Sequence, residues 1–154
     1  MSDATSKPTT LTPHITCRDA MSAIEFYKKA FGATEVVVLK MPDGRLMHAT
    51  LNLNGAMLLL AEEFPEYCSV SPLALGGSPV TLHLEVADCD AVFQQAVDAG
   101  CTVRMPLDDM FWGARYGVVA DPYGHQWSIA TTTKQLSPEE MQQAVTQMGG
   151  GCAG

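Results

Sequence analysis

Positive charge is what this chain has least of. Nine Lys and Arg stand against 17 Asp and Glu, a formal net charge of −8, and the basic residues form no cluster. Such a chain is repelled by a phosphate backbone, so nucleic acid is excluded as a partner class. Long apolar runs are missing too: none approaches the roughly 20 residues that a bilayer helix needs, and no membrane span is expected. Residues 1–10 lack the basic, apolar, small-residue order of a secretory signal and read as a loose tail. The five cysteines, Cys17, Cys68, Cys89, Cys101 and Cys152, are odd in number and share no C-x-x-C spacing. That favours a reduced, cytoplasmic protein with cysteines as core fillers and Cys152 out on the tail, over a disulfide framework or a zinc ribbon. No Gly-rich strand-to-helix fingerprint and no G-x-S-x-G elbow occurs, so dinucleotide, P-loop and serine-hydrolase chemistry lack support.

What is present is a core-forming composition, 47% apolar, arranged as a repeat. Thr12-Pro13-His14 returns as Thr81-Leu82-His83, and Asp19 returns as Asp88, each heading an amphipathic segment closed by glycine, Gly32 and then Gly100. Asn54-Gly55 and Tyr123-Gly124 mark matching turns before the apolar runs Met57–Ala61 and Gln126–Ala130. Each copy reads as β-α-β-β-β. In the first, 11–62, period-2 alternation gives strands over 11–17, 35–40, 46–53 and 57–61. A helix follows Asp19, with Ala20, Ala23, Ile24, Tyr27 and Phe31 on its buried stripe. Within 46–53, Met47, Ala49, Leu51 and Leu53 are expected to point one way and His48, Thr50 and Asn52 the other. The stretch 63–79 is rich in Pro and Gly and reads as a linker. The second copy, 80–132, has strands opening at Val80, around Val103, and over 118–120 and 125–130. Its helix follows Asp88, with Cys89, Val92, Phe93, Ala96 and Val97 buried, and 111–117 reads as an aromatic loop. Ser137-Pro138-Glu139-Glu140 carries a capping-box signature for a last helix within 133–148, and 149–154 reads as a flexible tail.

A helix must cover the apolar face of its own strands. The opposite face then carries Thr12, His14, Thr16, His48, Thr50 and Asn52 from the first copy, and Thr81, His83, Glu85, Gln126 and Ser128 from the second. Buried polar groups cost free energy unless paired or wet, so a face this polar is either solvated or a ligand site. His125 and Trp127 alternate with Gln126 and Ser128 and are expected on the helix side or at the Gly124 turn, with His125 structural.

The repeat, the Phe26-Tyr27 pair near the end of the first helix and Asp121-Pro122-Tyr123-Gly124-His125 resemble the vicinal oxygen chelate superfamily, which includes glyoxalase I, extradiol dioxygenases and the bleomycin and fosfomycin resistance proteins. The likeness runs from about Leu11 to Thr131. It is closer to the PhnB-like branch through Ala30-Phe31-Gly32-Ala33, Pro42-Asp43-Gly44 with His48-Ala49, and Phe111-Trp112-Gly113. This resemblance implies an α+β fold of two paired β-α-β-β-β modules forming a cupped, barrel-like mixed sheet around a small-molecule cavity, and a homodimer. It also implies a divalent metal held by first- and last-strand residues of each module. Those positions are Thr12, Leu59 (or Leu60), Thr81 and Ser128 here, and none supplies an ordinary donor for such an ion. A displaced site of His14, His83 and Glu85, with His48 near, is one alternative; imidazoles that line a wet pocket and bond to Thr12, Thr50 or Thr81 are the other. The candidates for catalysis are therefore His14, His48, His83 and Glu85. For ligand binding they are Thr12, Thr50, Thr81, Trp112, Arg115, Gln126 and Ser128, with the aromatic loop as a lid and Arg115 either pairing an anionic substrate or holding structure. Two functions stay open: a lyase, isomerase or other acid–base or metal-assisted enzyme, or a binding protein that sequesters its ligand.

Overall fold

The computed structural model describes residues 6–148; the expectations for the first five residues and for 149–154, Cys152 included, lie outside that span. The chain divides into two compact units, one on each side of the Ser71–Pro72 bond, except that Lys29–Phe31 at the end of the first helix cluster with the second. The first holds β1 (His14–Cys17), α1 (Ala20–Phe31), β2 (Thr34–Lys40), β3 (Leu46–Leu53) and β4 (Ala56–Glu62) in a sheet of order β1-β4-β3-β2. The second holds α2 (Pro72–Leu75), β5 (Thr81–Glu85), α3 (Cys89–Ala99), β6 (Thr102–Asp109), β7 (Ala114–Ala120) and β8 (Gln126–Thr132), then α4 (Pro138–Gln147), with sheet order β5-β8-β7-β6. In each sheet the first strand pairs parallel with the last and the remaining ladders are antiparallel. Two β-α-β-β-β modules of one topology are thus established. No helix among the described residues is long and apolar enough to cross a membrane.

The helices form where sequence capping places them. Asp19 takes the left-handed conformation (φ 61°) and accepts from the Ser22 amide and hydroxyl. The Glu62 carboxylate adds a second cap from the end of β4, accepting from Asp19 N at 2.8 Å, which ties the helix start to the strand beside β1. In the second module Asp88 caps through Ala91 N, and the Thr131 hydroxyl accepts from Cys89 N while donating to Val86 O. Ala20, Ala23, Ile24, Tyr27 and Ala30 are fully buried along α1. They are sequestered with Ile15, Cys17, Ala49, Leu51, Leu58 and Leu60 from alternate strand positions. On α3 the buried residues are Cys89, Phe93 and Ala96, and the helix lies on β6, β7 and β8. The α4 capping box is present in both its bonds.

Four details depart from expectation. Strand β1 begins at His14, so Thr12 precedes it. Leu46 is fully buried and Met47 60% exposed, because successive β2 residues Leu39 and Lys40 pair with His48 and Leu46. Met47 is the extra residue of a bulge and is turned outward. The segment 111–117 is mostly strand: β6 and β7 form a long antiparallel ribbon closed by a turn at Met110–Gly113. Pro106 and the acidic Asp108-Asp109 disguised β6, and the sheet tolerates them because β6 is an edge strand. The Pro/Gly-rich stretch also carries structure, a single 3-10 turn over Pro65–Tyr67 and α2. Arg45 reaches that turn, bonding Glu66 and lying 4.7 Å over the Phe64 ring.

Candidate functional site

Strand register sorts the predicted polar face into rows. In the first module His14 stands opposite Leu59, and Leu59 opposite Thr50; Thr16 stands opposite Ala61. The His14 and His48 rings meet edge to face, with centroids 5.7 Å apart, and His48 Nε2 lies 3.2 Å from the Thr50 hydroxyl. Two imidazoles and two threonines therefore share this face. They are joined there by exposed apolar side chains of the same rows, Val37 and Leu39, so the face is amphipathic rather than uniformly polar.

The second module repeats the register with different chemistry. His83 stands opposite Ser128, Glu85 opposite Ala130, and Ala130 opposite Tyr116. His83 Nδ1 lies 2.7 Å from Ser128 Oγ, and Ser128 is 2% exposed. His83 Nε2 is 3.7 Å from the Glu85 carboxylate, both side chains being half exposed. The Tyr116 ring stacks on the imidazole, with centroids 6.1 Å apart and planes 20° from parallel. Trp112 packs edge-on to Tyr116 at 5.5 Å, and Phe111 to Trp112 at 5.0 Å. Partial burial lifts the Glu85 carboxyl. Hydrogen bonding from Thr132 and the His83 imidazole outweigh that and hold it below its ordinary range.

Other candidates lie elsewhere. Arg115 points to the helix side, where it grips the Asp90 carboxylate through Nε and an NH2 group at 3.0–3.1 Å and lies 3.6 Å from Asp109. Those contacts fit its structural reading. Thr81 is exposed and stands opposite Gln126, whose amide is 3.5 Å from Ser78 O. Trp127 and His125 are buried, and the His125 amide is bonded to Asp121 in the turn before β8. Cys17, Cys89 and Cys101 are buried, and burial with the nearby Asp121 carboxylate pushes Cys101 up to about 12, which makes it an inert thiol. Cys68, by contrast, is exposed rather than a core filler, because it closes the 3-10 turn at φ 61°. Tyr116 is the site residue that sequence reading missed. Its signal was there: once 114–120 is read as a strand, Tyr116 alternates with Arg115 and Gly117 and falls beside His83.

Residues 9–129 match the profile of the Glyoxalase/Bleomycin resistance protein/Dioxygenase superfamily. The chain belongs to this superfamily. An uncharacterized protein of Mycobacterium tuberculosis is 48% identical over 144 residues, spanning 92% of this chain and 85% of its own length. An uncharacterized Arabidopsis thaliana protein, At5g48480, is 32% identical over 76% of this chain and 74% of its own. Among solved structures, TioX from Micromonospora sp. ML1 superposes with a TM-score of 0.64 at 23% identity, covering 81% of this chain and 99% of TioX. A PhnB protein from Bacillus cereus gives 0.61 at 20%, covering 82% and 100%. These likenesses concern the fold.

Metal-using members of the superfamily raise a question of fit. The residues at the corresponding positions, Thr12, Leu59, Thr81 and Ser128, offer two threonine hydroxyls, one buried serine hydroxyl already bonded to His83, and a hydrocarbon. That donor set does not fit a divalent transition metal. Among the described residues no group of three or more His, Cys, Asp and Glu is arranged to hold a metal ion. In the second module His83 and Glu85 stand as a pair, 3.7 Å apart.

Proposed function

We propose that this chain binds a small organic molecule on the helix-free face of its second module and uses His83 as the acid–base group there. The observation that supports it is the position of one imidazole between two unlike partners, Ser128 Oγ at 2.7 Å and the Glu85 carboxylate at 3.7 Å, with Tyr116 stacked on its plane. A serine hydroxyl both donates and accepts. It can accept from Nδ1–H when His83 is protonated and donate to a bare Nδ1 when the proton has left. The half-exposed Nε2 edge can exchange a proton with a bound molecule. Trp112 and Tyr116 supply apolar surface for the body of that molecule.

The aromatic series Phe111, Trp112 and Tyr116 favours a second reading, in which the face holds a ligand without changing it. One experiment separates the two. Untagged protein is screened by thermal shift against small oxygen-bearing organic molecules, with and without chelator. Each hit is then followed in deuterated water by NMR for exchange of its acidic C–H. Catalysed exchange that survives chelation and disappears in His83→Asn supports the acid–base reading. Binding without exchange leaves the sequestering one. Hits that all require a divalent ion overturn both, and exchange that is indifferent to His83→Asn overturns the acid–base reading.

A further inference from the structure

We propose that a second pocket, beside Arg104, binds a small organic carboxylate. The chain has four arginines, and three of them hold carboxylates: Arg18 with Glu63, Arg45 with Asp43 and Glu66, and Arg115 with Asp90 and Asp109. Arg104 has no such ion pair among the described residues, and it lines a cavity of about 350 Å³. Arg104 is thus the arginine left without a carboxylate among the described residues, and at the cavity wall its planar guanidinium is available to an anionic ligand.

Backbone geometry brings Arg104 to the cavity. Val103 pairs with Val119 and Met105 with Val118, so Arg104 has no opposite residue and is the bulged position of β6. A bulge re-aims the side chain that it frees. Thr102 stands opposite Ala120, and Ala120 opposite Gln126, so a hydroxyl and a primary amide flank a small residue on the cavity floor. The Gln126 amide meets Ser78 O only at 3.5 Å, which leaves it donor capacity for a ligand. Asp121 also lines the cavity, but its carboxylate already accepts from the Tyr123 and His125 amides and the Trp127 indole at 2.9–3.0 Å. The volume exceeds that of a bare ion and sits at the low end of the range for organic ligands. Pro72 and Leu73 provide apolar wall for the rest of such a molecule.

This pocket stands without the His83 reading. Isotope-labelled full-length protein is titrated with benzoate and with benzamide, its neutral counterpart of the same shape, and amide and arginine Nε–H resonances are followed. Benzoate is expected to shift Arg104 Nε–H, the Gln126 side chain and the Gly76 and Gly124 amides, and benzamide to shift none of them. Arg104→Gln should weaken benzoate by about tenfold or more, Arg104→Lys by less, and His83→Asn not at all. Equal response to the two ligands, shifts centred away from Arg104, no response to benzoate, or unchanged affinity in Arg104→Gln would each overturn the proposal. Conversely, loss of proton exchange in His83→Asn with benzoate binding intact would leave both readings standing independently.

Discussion

The Trp127 indole donates its Nε1–H to Asp121 Oδ2 at 2.9 Å, and the two residues are 2% and 5% exposed. The other oxygen, Oδ1, accepts from Tyr123 N and His125 N. Asp121 thereby holds the turn that opens β8 and anchors the strand's largest core side chain. The Asp-Pro-Tyr-Gly-His segment that signals the family in the sequence is a scaffold feature, and it sets the register that brings Ser128 opposite His83.

Removing that carboxylate should cost heavily. Asp121→Ala leaves three buried or half-buried donors without their acceptor and is expected to destabilise the protein by about 3–5 kcal/mol. Asp121→Asn keeps one acceptor oxygen but turns an amide N–H₂ toward either the indole or the turn amides, and should cost about 1–3 kcal/mol. Denaturant unfolding monitored by Trp fluorescence gives both values. A loss below about 1 kcal/mol in the alanine variant would show that water replaces the carboxylate and that the clamp is dispensable.

Local pattern revealed the modules, and non-local pairing decided the site. Asp19, Asp88 and Ser137 announced three helix starts, and alternation placed His48, Thr50 and Asn52 opposite Ala49, Leu51 and Leu53. Each of these depends only on near neighbours in the chain. Met47 broke the alternation because a bulge depends on β2, and Tyr116 was hidden because Gly117 and the acidic Asp108-Asp109 weaken the strand signal on both sides of the ribbon. That His83 would meet Ser128 rather than Thr81 could not be read locally. The contact crosses a parallel pair whose register is set by the Asp121 turn and by the α3 connection. Likewise Arg115, legible as a cation beside aromatics, was claimed by Asp90 from the first turn of α3, a partner that no local spacing indicates.

Gly117 provides a steric test of how α3 sits on its sheet. A Cβ built there would lie 2.8 Å from Phe93 Cε2 and 3.0 Å from Leu107 N, one a core ring and the other backbone. Gly117→Ala should therefore cost about 1–3 kcal/mol by overpacking. Phe93→Leu removes the nearer obstacle, so the double variant should lose less than the two single losses added together. Thermal or denaturant unfolding of the four proteins closes the cycle. Strict additivity would mean that the helix does not approach the strand at this point.

Glu85 links the candidate site to pH. Its carboxylate accepts from Thr132 N at 2.6 Å and faces the His83 imidazole. Partial burial opposes ionisation, yet those partners prevail and the folded-state value lies below the ordinary one. A carboxyl depressed on folding binds fewer protons in the folded than in the unfolded chain. Its stabilisation is therefore complete above the unfolded value, about 4.3 for glutamate, and disappears as pH falls through the lower folded value. The stability difference between wild type and Glu85→Gln should shrink as pH is lowered through that window and, because both side chains are half exposed, also as salt is raised. His83→Ala removes one of the stabilising partners and leaves the Thr132 amide, so Glu85 should move part of the way back toward its ordinary value. Carboxyl carbon NMR titration of wild type and His83→Ala measures this directly. A Glu85 that titrates at or above the ordinary value, or that ignores the loss of His83, would show that the two side chains are neighbours without being electrostatic partners.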